Sequence, residues 1–344
     1  MNKNTVSILY VRAIADGLRR HGKNSEEVLS QFGLSRDFIA NNKSRVPFDI
    51  IVALVRRSWR ILGDENMGIS KNKVPNGGFF YAGQLAIGVS NLENSLSLLI
   101  GYYNYLDPGY TFKVVRNKNE VSVELALDDT TLDEYHLLAD FILGGLYRFC
   151  CWLVGKQIIL KQATFDYAPP AHQADYSMIY DCPKKFNSEK LSVTFSADYL
   201  ELPIIKNRKD FDSYIAVTPM SILINPVDDD SYTTKIKRHI ERASWSNLPT
   251  FEQIATQMHM VPKTLRQRLK KEGITYQKLK DVMRRDLAIY YLYHGNYSIT
   301  DVGEKVGFTE TAAFIRAFKS WTKMTPGLYR KTFIEDIEEP TSRY

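Results

Sequence analysis

The chain has 344 residues, of which 44% are hydrophobic and 24% are charged, and its formal net charge is +6. This length is sufficient for two domains with a sizeable core, and the composition is that of a globular protein. The charge is uneven, because residues 235–331 hold 19 basic and 8 acidic residues, a net of +11, which leaves −5 for the rest of the chain. A basic region beside a mildly acidic one indicates binding to nucleic-acid phosphates.

Cysteine use and hydropathy exclude several classes of protein. Cys150 and Cys151 are adjacent and Cys182 is alone, which favours reduced thiols in a cytoplasmic protein over a disulfide framework. No Cys or His spacing indicates a metal, and no cofactor is expected. Arg12 and Asp16 interrupt the first apolar run, which argues against a secretion signal. No run of about 18 apolar residues indicates a membrane span.

The first part of the chain predicts several helices followed by a hairpin. Helical spacing covers Ser7 to Gly22, Ser25 to Phe32, roughly Pro47 to Leu62, and Leu92 to Tyr105. Between the last two helices, the stretch that begins at Gly77-Gly78 is of mixed character. Alternation on a period of two from Tyr110 to Leu127, split by Asn117-Lys118-Asn119, predicts a β-hairpin.

The next part adds one long helix and further strands. Thr131 to Val154 predicts a long apolar helix, and Ile158 to Tyr167 predicts a strand. Ala171 to Tyr180 predicts a helix, and Leu191 to Ser196 another strand. Asn225-Pro226 and three consecutive Asp residues then indicate a linker or turn. These patterns predict an α/β (α+β) N-terminal domain.

A first helix-turn-helix pattern lies in the basic region. Phe251 to Met258 and Pro262 to Glu272 are short amphipathic helices joined by a tight turn, and Pro262 suits a first helical position. Leu265 and Leu269 are four residues apart and face inward together. This spacing turns Lys263, Thr264, Arg266, Gln267 and Lys270 outward. Such side chains are the donors and acceptors that base edges in the major groove require.

A second pattern follows a longer helix. Ile299 to Val306 and Glu310 to Lys323 form another amphipathic pair, with a turn at Gly307-Phe308 and Thr309 as the expected N-cap. Phe314 and Phe318 form its inner face. The outward residues are Thr311, Ala312, Ile315, Arg316 and Lys319. Two such units can place recognition helices in successive major grooves, whereas the alternative is an ordinary helical bundle with a solvated basic face.

Residues 248–331 resemble the DNA-binding domain of the AraC/XylS family of bacterial transcription regulators. The residues that carry the resemblance are Gly307-Phe308, Phe314, Arg316, Phe318, Lys319, Thr325-Pro326 and Tyr329-Arg330. The resemblance implies that base-facing positions fall on Lys263, Arg266, Gln267, Thr311, Ala312, Ile315 and Arg316. Ile315 departs from the small polar residue that the family often has there, and Ile can contact a thymine methyl group.

Residues 10–205 resemble the ligand-sensing domain of the ornithine-regulator branch of this family. The resemblance rests on Arg45-Val46-Pro47, Gly63-Asp64 through Met67-Gly68, and the stretch from Phe165 to Ile204. It implies an α/β effector domain and no enzyme. Aromatic residues and one cation in this region predict a pocket for a small organic effector, such as a fatty acid or another amphipathic carboxylate. The candidate effector-binding residues are Tyr81, Tyr102, Tyr103, Tyr105, Arg148 and Trp152. The alternative is that these aromatics belong to the core and that Arg148 pairs with a carboxylate or points to solvent.

These expectations combine into a regulator with four segments. We expect an effector-binding and dimerisation domain over 1–218, a linker over 219–234, an all-α DNA-binding domain with two helix-turn-helix motifs over 235–332, and an acidic tail over 333–344. The predicted function is a sequence-specific, effector-controlled transcription activator that contacts promoter DNA and RNA polymerase, with a possible homodimer and no membrane partner. One alternative is a ligand-independent activator whose first domain serves dimerisation or polymerase contact. A remote one is a DNA-repair alkyltransferase fusion with Cys150 or Cys182 as acceptor.

Overall fold

The computed structural model describes residues 5–216, 218–219, 231–245, 247–294 and 296–334. The predicted linker at 219–234 and the predicted acidic tail at 333–344 lie largely outside these residues. Contacts divide the described chain into two compact units. The helical unit comprises the described residues within 1–8, 26–51 and 230–344, and the sheet unit comprises those within 9–25 and 52–229. The domain boundaries expected from the sequence stay a prediction.

The helices of the described residues follow one another along the chain as α1 (Ile8–Arg20), α2 (Ser25–Ser30), α3 (Arg36–Ala40), α4 (Phe48–Leu62), α5 (Gly78–Ile87), α6 (Leu92–Leu106), α7 (Leu137–Val154), α8 (Tyr176–Ile179), α9 (Arg208–Ala216), α10 (Tyr232–Arg242), α11 (Phe251–Gln257), α12 (Pro262–Lys271), α13 (Tyr276–His294), α14 (Ile299–Lys305), α15 (Thr311–Thr322) and α16 (Pro326–Ile334). The strands are β1 (Thr5–Ser7), β2 (Arg45–Pro47), β3 (Tyr110–Asn117), β4 (Glu120–Leu127), β5 (Leu160–Thr164), β6 (Lys184–Lys185) and β7 (Leu191–Ser196).

The sheet unit is built on a five-stranded sheet in the order β3-β4-β7-β5-β6. The hairpin β3-β4 and the neighbours β7 and β5 pair antiparallel, and only the β5–β6 pair is parallel. Helix α7 packs against β4 and β7. Its C-terminal half also forms an aromatic core with Phe211 and Tyr214 of α9, in which Phe149 and Trp152 stack at 5.5 Å between ring centroids. The mixed α/β class expected for this part of the chain is confirmed.

Helix α7 is longer in the sequence-based prediction than in the structure. The predicted start at Thr131 is wrong, because residues 130–133 form a separate 3-10 turn and α7 begins at Leu137. The buried carboxylate of Asp133 accepts the N–H groups of Leu138 and Ala139, both at 2.9 Å, and so caps the first turn. Burial raises the pKa of Asp133 to about 7.

Helix α7 is also more apolar over its length than the sequence-based prediction allowed. Among the described residues, this 18-residue helix is long and apolar enough to cross a membrane, with a mean hydropathy of 1.6. The expectation that no such run exists is therefore wrong. However, 89% of the helix is buried inside the fold, and the core helix of a folded domain passes the same test of length and composition.

Three further predictions are corrected at their ends or interiors. The stretch of mixed character after Gly77 is helix α5. The predicted helix over Ala171 to Tyr180 is a 3-10 turn followed by the four-residue helix α8. The predicted strand over Ile158 to Tyr167 is limited to Leu160–Thr164, because β7 pairs only with this segment.

The helical unit contains an N-terminal element that periodicity does not reveal. Strands β1 and β2 pair antiparallel over three residues each and contact α13. The hydroxyl of Thr5 donates to Asp286 Oδ1 of α13 at 2.6 Å, and Arg45 Nε donates to Thr5 Oγ1 at 2.8 Å. The second contact involves α16, where Tyr329 donates its hydroxyl proton to the carbonyl oxygen of Arg45. Phe38 of α3 meets the Tyr329 ring edge-on at 5.1 Å.

The contact between α3 and α16 yields a stability prediction. Phe38 is fully buried, so Phe38→Ala should leave a cavity beside Tyr329 and lower the free energy of opening of α16 by about 3 kcal/mol or more. Hydrogen–deuterium exchange of α16 peptides should rise accordingly. The half-exposed Leu328 on the same helix gives the control, and Leu328→Ala should change the exchange little. Unchanged exchange in Phe38→Ala would contradict the packing role.

Candidate nucleic-acid interface

Both helix-turn-helix pairs begin with the same cap. The Thr250 hydroxyl accepts the N–H of Gln253 at 3.2 Å, and the Gln253 side chain accepts the N–H of Thr250 at 2.7 Å. Ser298 and Asp301 repeat this reciprocal arrangement before α14, at 3.1 and 2.9 Å. Such capping boxes satisfy two unpaired N–H groups and fix where α11 and α14 begin.

Both pairs also turn in the same way. After α11, His259 adopts a left-handed φ of 54° and the N–H of Met260 donates to the Ala255 carbonyl at 2.8 Å. After α14, the second turn repeats this pattern with Gly307 at a φ of 82°. This is the Schellman ending of a helix, and it redirects the chain at once into the second helix of each pair.

Gly307 has no replacement that fits. A Cβ atom at this position would lie 2.1 Å from the carbonyl oxygen of Trp245, and the backbone is left-handed. Both constraints point to glycine, because it alone has no Cβ and tolerates a positive φ without strain.

The second helix of the first pair, α12, presents the predicted polar row to solvent. Leu265 and Leu269 are buried in a core with α10, α11 and α13. Pro262 occupies the first turn of the helix, as predicted. The outward residues are all exposed, namely Lys263, Thr264, Arg266, Gln267 and Lys270. The polar row on α12 is therefore accessible to a ligand.

Arg266 is already oriented by α11. Its Nη2 lies 3.6 Å from Glu252 Oε1, and its guanidinium lies over the Phe251 ring at 5.1 Å from the centroid. The Arg266 and Glu252 side chains are 66% and 64% exposed, so the ion pair contributes little to stability and can be exchanged for another acceptor. A guanidinium in this position is suited to bidentate hydrogen bonding with guanine.

The second helix of the second pair, α15, presents a less polar row. Phe314 and Phe318 are fully buried, and Phe318 meets Tyr329 edge-on at 5.2 Å. Ala312, Arg316 and Lys319 are exposed, whereas Thr311 and Ile315 are half-buried. The hydroxyl of Thr311 donates to Thr300 Oγ1 of α14 at 3.3 Å. The predicted N-cap at Thr309 is wrong, because Glu310 occupies that position and makes no side-chain cap.

Helix α13 joins the two pairs. Its 19 residues span roughly 28 Å, which is comparable with one turn of B-form DNA. The two rows, on α12 and α15, are hereafter called the recognition rows.

The sheet unit contains an apolar cavity of about 50 Å³ between α4, α5, α6, α7 and β3. The lining residues are Trp59, Glu65, Asn66, Val74, Phe79, Leu99, Ile100, Tyr103, Phe112, Phe141, Ile142, Gly145, Leu146 and Phe149. Tyr103 belongs to both the predicted effector set and this lining. Sequence reasoning missed Glu65, because in the sequence it stands between Asp64 and Asn66 and its apolar neighbours in the cavity come from other parts of the chain.

The other predicted effector residues lie elsewhere. Tyr81 and Tyr105 are 62% and 87% exposed, and Tyr102 is half-buried. Trp152 is packed in the aromatic core. Arg148 is fully buried and donates to the Met178 carbonyl, and burial lowers its pKa to about 10. The cation expected to meet a carboxylate effector is thus outside the cavity lining, and its role in effector binding stays a prediction.

The thiols lack the environment that an alkyl acceptor needs. Cys150 and Cys151 are buried and Cys182 is half-buried. Burial raises the pKa of Cys150 and raises that of Cys151 and Cys182 to about 11. All three thiols are held protonated, whereas a nucleophilic cysteine needs its thiolate.

Comparison with known protein families gives two matches. Residues 22–204, more than half of the chain, match a family model described as the arabinose-binding domain of AraC transcription regulators, N-terminal. Residues 254–332 match a helix-turn-helix domain.

Individual proteins give matches over different lengths. The chain is 22% identical over 328 residues to an ornithine utilization regulator of Pseudomonas aeruginosa, with coverage of 95% of this chain and 96% of that protein. It is 33% identical over 79 residues to a urease operon transcriptional activator of Escherichia coli, covering 23% and 27%. The solved structure of the transcriptional regulator CdpR of P. aeruginosa matches with 19% identity, a TM-score of 0.34, and coverage of 93% and 97%.

The second turn yields a prediction that separates two causes of strain. Gly307→Ala should lower the free energy of unfolding of the helical unit by about 2 kcal/mol or more, because it adds both a clash and a strained φ. Gly273 has a φ of 74°, and a Cβ there would have no neighbour within 4 Å. Gly273→Ala should therefore add backbone strain alone and lower the free energy of unfolding by about 1 kcal/mol. Gly327→Ala has neither constraint and should be neutral or stabilising. Urea unfolding followed by far-UV circular dichroism measures all three, and equal losses for Gly307→Ala and Gly273→Ala would contradict the clash.

Proposed function

The chain belongs to the AraC family of transcription regulators, and we propose that it is an activator whose engagement of promoter DNA is controlled by a small organic effector bound in the sheet unit. Membership of the family makes it a DNA-binding regulator with an effector-binding N-terminal region. The further elements of the proposal are which side chains read DNA, how the effector acts, and the direction of regulation.

The proposed DNA contacts rest on one observation, which is that the recognition rows are exposed. On α12, Arg266 and Gln267 read base edges, with Lys263, Thr264 and Lys270 beside them, while Lys271 in the last turn neutralises phosphate. On α15, Ile315 contacts a thymine methyl group, and Arg316 and Lys319 contact the duplex from the exposed side. The two rows then engage one face of the promoter about one helical turn apart.

Effector control follows from a shift between populations. A ligand in the sheet unit changes DNA binding only if it binds two states of the protein with different affinity. In this proposal the effector acts by changing the arrangement or dimerisation of the protein. The DNA-bound protein contacts RNA polymerase, and the protein works in the cytoplasm. The likeness to the urease operon transcriptional activator of Escherichia coli supports activation as the direction of regulation.

A second candidate is a ligand-independent activator. The size of the cavity favours it, because about 50 Å³ is small beside the roughly 300–1,000 Å³ of typical ligand pockets. In that case the sheet unit serves dimerisation or polymerase contact. Titration of the full-length protein with small molecules, followed by DNA-binding measurements, separates the two candidates, because only the effector-controlled protein changes its DNA affinity.

The proposal predicts different roles for two basic residues of α12. Arg266→Ala should weaken binding to the regulated promoter by about 1–3 kcal/mol and weaken binding to a scrambled duplex much less. Lys271→Ala should weaken binding to both duplexes alike and reduce the slope of log affinity against log salt concentration by about 1. Fluorescence anisotropy over a series of salt concentrations measures both effects. An equal loss on the two duplexes for Arg266→Ala would refute its reading of bases.

If one chain engages DNA with both recognition rows, its affinity should depend on the distance between the two half-sites that the rows contact. Inserting five base pairs between the two half-sites turns one of them by about half a helical turn, so α15 should lose its contacts. The insertion should then lower the DNA affinity of the wild-type protein by roughly tenfold or more. It should lower the DNA affinity of the double variant Arg316→Ala, Lys319→Ala much less. Unchanged binding of the wild-type protein would show that α15 does not reach the DNA, and equal weakening of both proteins would show that Arg316 and Lys319 do not make its contacts.

A further inference from the structure

The cavity in the sheet unit contains a carboxylate that is held in a fixed position. Oε1 of Glu65 accepts the N–H of Gly77 at 2.7 Å, and Oε2 accepts the N–H of Phe79 at 2.8 Å. These donors lie at the start of α5, where N–H groups have no partner within the helix and favour a negative charge. The carboxylate is thereby oriented, and each oxygen can accept a further hydrogen bond.

Burial and hydrogen bonding act on this carboxylate in opposite directions. Burial is the largest influence and, with the nearby Asp64, raises the pKa of Glu65, while the N–H groups of Phe79 and Gly77 oppose this rise without cancelling it. Lys, Arg and His are absent from the lining that the described residues provide. A carboxyl group with two fixed N–H donors and no cation in the cavity wall favours a ligand that brings the positive charge, because a nearby cation stabilises the ionised carboxylate against burial.

Aromatic rings make up much of the remaining wall. Phe79 and Phe149 meet at 5.1 Å, Trp59 and Phe141 at 6.3 Å, and Tyr103 lies beside Phe112. Ring faces attract an ammonium group and repel an anion, so the rings and the carboxylate favour the same sign of ligand charge. A carboxylate ligand would meet Glu65 in a wall that, among the described residues, contains no Lys, Arg or His to balance it.

We propose that this cavity binds a small organic cation, a protonated amine or a quaternary ammonium group on an apolar body, with its charge against Glu65 and the aromatic rings. This inference rests on the effector role proposed above and specifies the chemical class of the effector. The cavity admits only about 50 Å³, which corresponds to about four water-sized groups, so the group it encloses is small.

Three probes of nearly equal size test the charge preference. Saturation-transfer NMR on the full-length protein at neutral pH compares n-propylammonium, 1-propanol and propionate, with tetramethylammonium as a competitor. Propylammonium should bind at least about tenfold more tightly than propanol and be displaced by tetramethylammonium, while propionate should show no saturation transfer. Equal or tighter binding of propionate, or binding of none of the three probes, would overturn the proposal.

Variants distinguish charge recognition from a structural role of Glu65. Glu65→Gln should remove the preference for propylammonium and leave propanol binding unchanged, whereas Glu189→Gln, an exposed carboxylate of the same unit, should change neither. Phe141→Leu retains Glu65 and an apolar wall but removes one ring, so it should lower propylammonium binding several-fold relative to propanol. It also serves as the independent test if Glu65→Gln does not fold. A preference that survives in both variants contradicts the assignment.

DNA binding measured on the same samples separates this inference from the proposed function. Wild-type protein that binds promoter DNA but none of the probes refutes the ligand class alone. Protein that binds propylammonium through Glu65, with DNA affinity unchanged, supports the ligand class and refutes effector control.

Discussion

Burial of two side chains four residues apart on each recognition helix determines which residues can reach a duplex. Leu265 and Leu269 on α12, and Phe314 and Phe318 on α15, are held in separate cores. Because a helix repeats every 3.6 residues, fixing one side of it fixes the direction of all other side chains. The matching caps and Schellman turns are the local means by which each helix is placed against its core.

Tyr329 connects the second core to an element far away in sequence. Its ring packs against Phe318 of α15 and Phe38 of α3, and its hydroxyl donates to the carbonyl of Arg45 in β2. The buried hydrogen bond from Thr5 to Asp286 adds a second attachment, to α13. The helical unit therefore includes residues from both ends of the described chain, and a fragment that begins at residue 231 would expose apolar surface and leave Asp286 without this partner.

Sequence reasoning found the elements that carry a long periodic signal. Both helix-turn-helix pairs, the hairpin and the exposed row on α12 follow from apolar spacing and from the turn residues Pro262 and Gly307. The strands β1 and β2 were missed, because three residues carry no measurable period and their pairing is decided by tertiary contacts. Most of the cavity lining was missed for a similar reason: it comes from five elements, so the predicted effector residues include Tyr103 but not Glu65. For Arg148, an Arg in an apolar helix, the sequence left open an effector contact, a carboxylate partner or a solvent-exposed position. In the structure Arg148 is buried, so exposure to solvent is wrong, and it donates to the carbonyl of Met178.

The central claim is that one chain presents two recognition rows to one face of DNA. Methylation interference at guanine N7 on the regulated promoter tests it directly, because N7 lies in the major groove. Two patches of interference on the same face, about 10 base pairs apart, are expected, and the patch assigned to α12 should disappear in Arg266→Ala while the other remains. A single patch, or two patches that both persist unchanged in that variant, would contradict the claim.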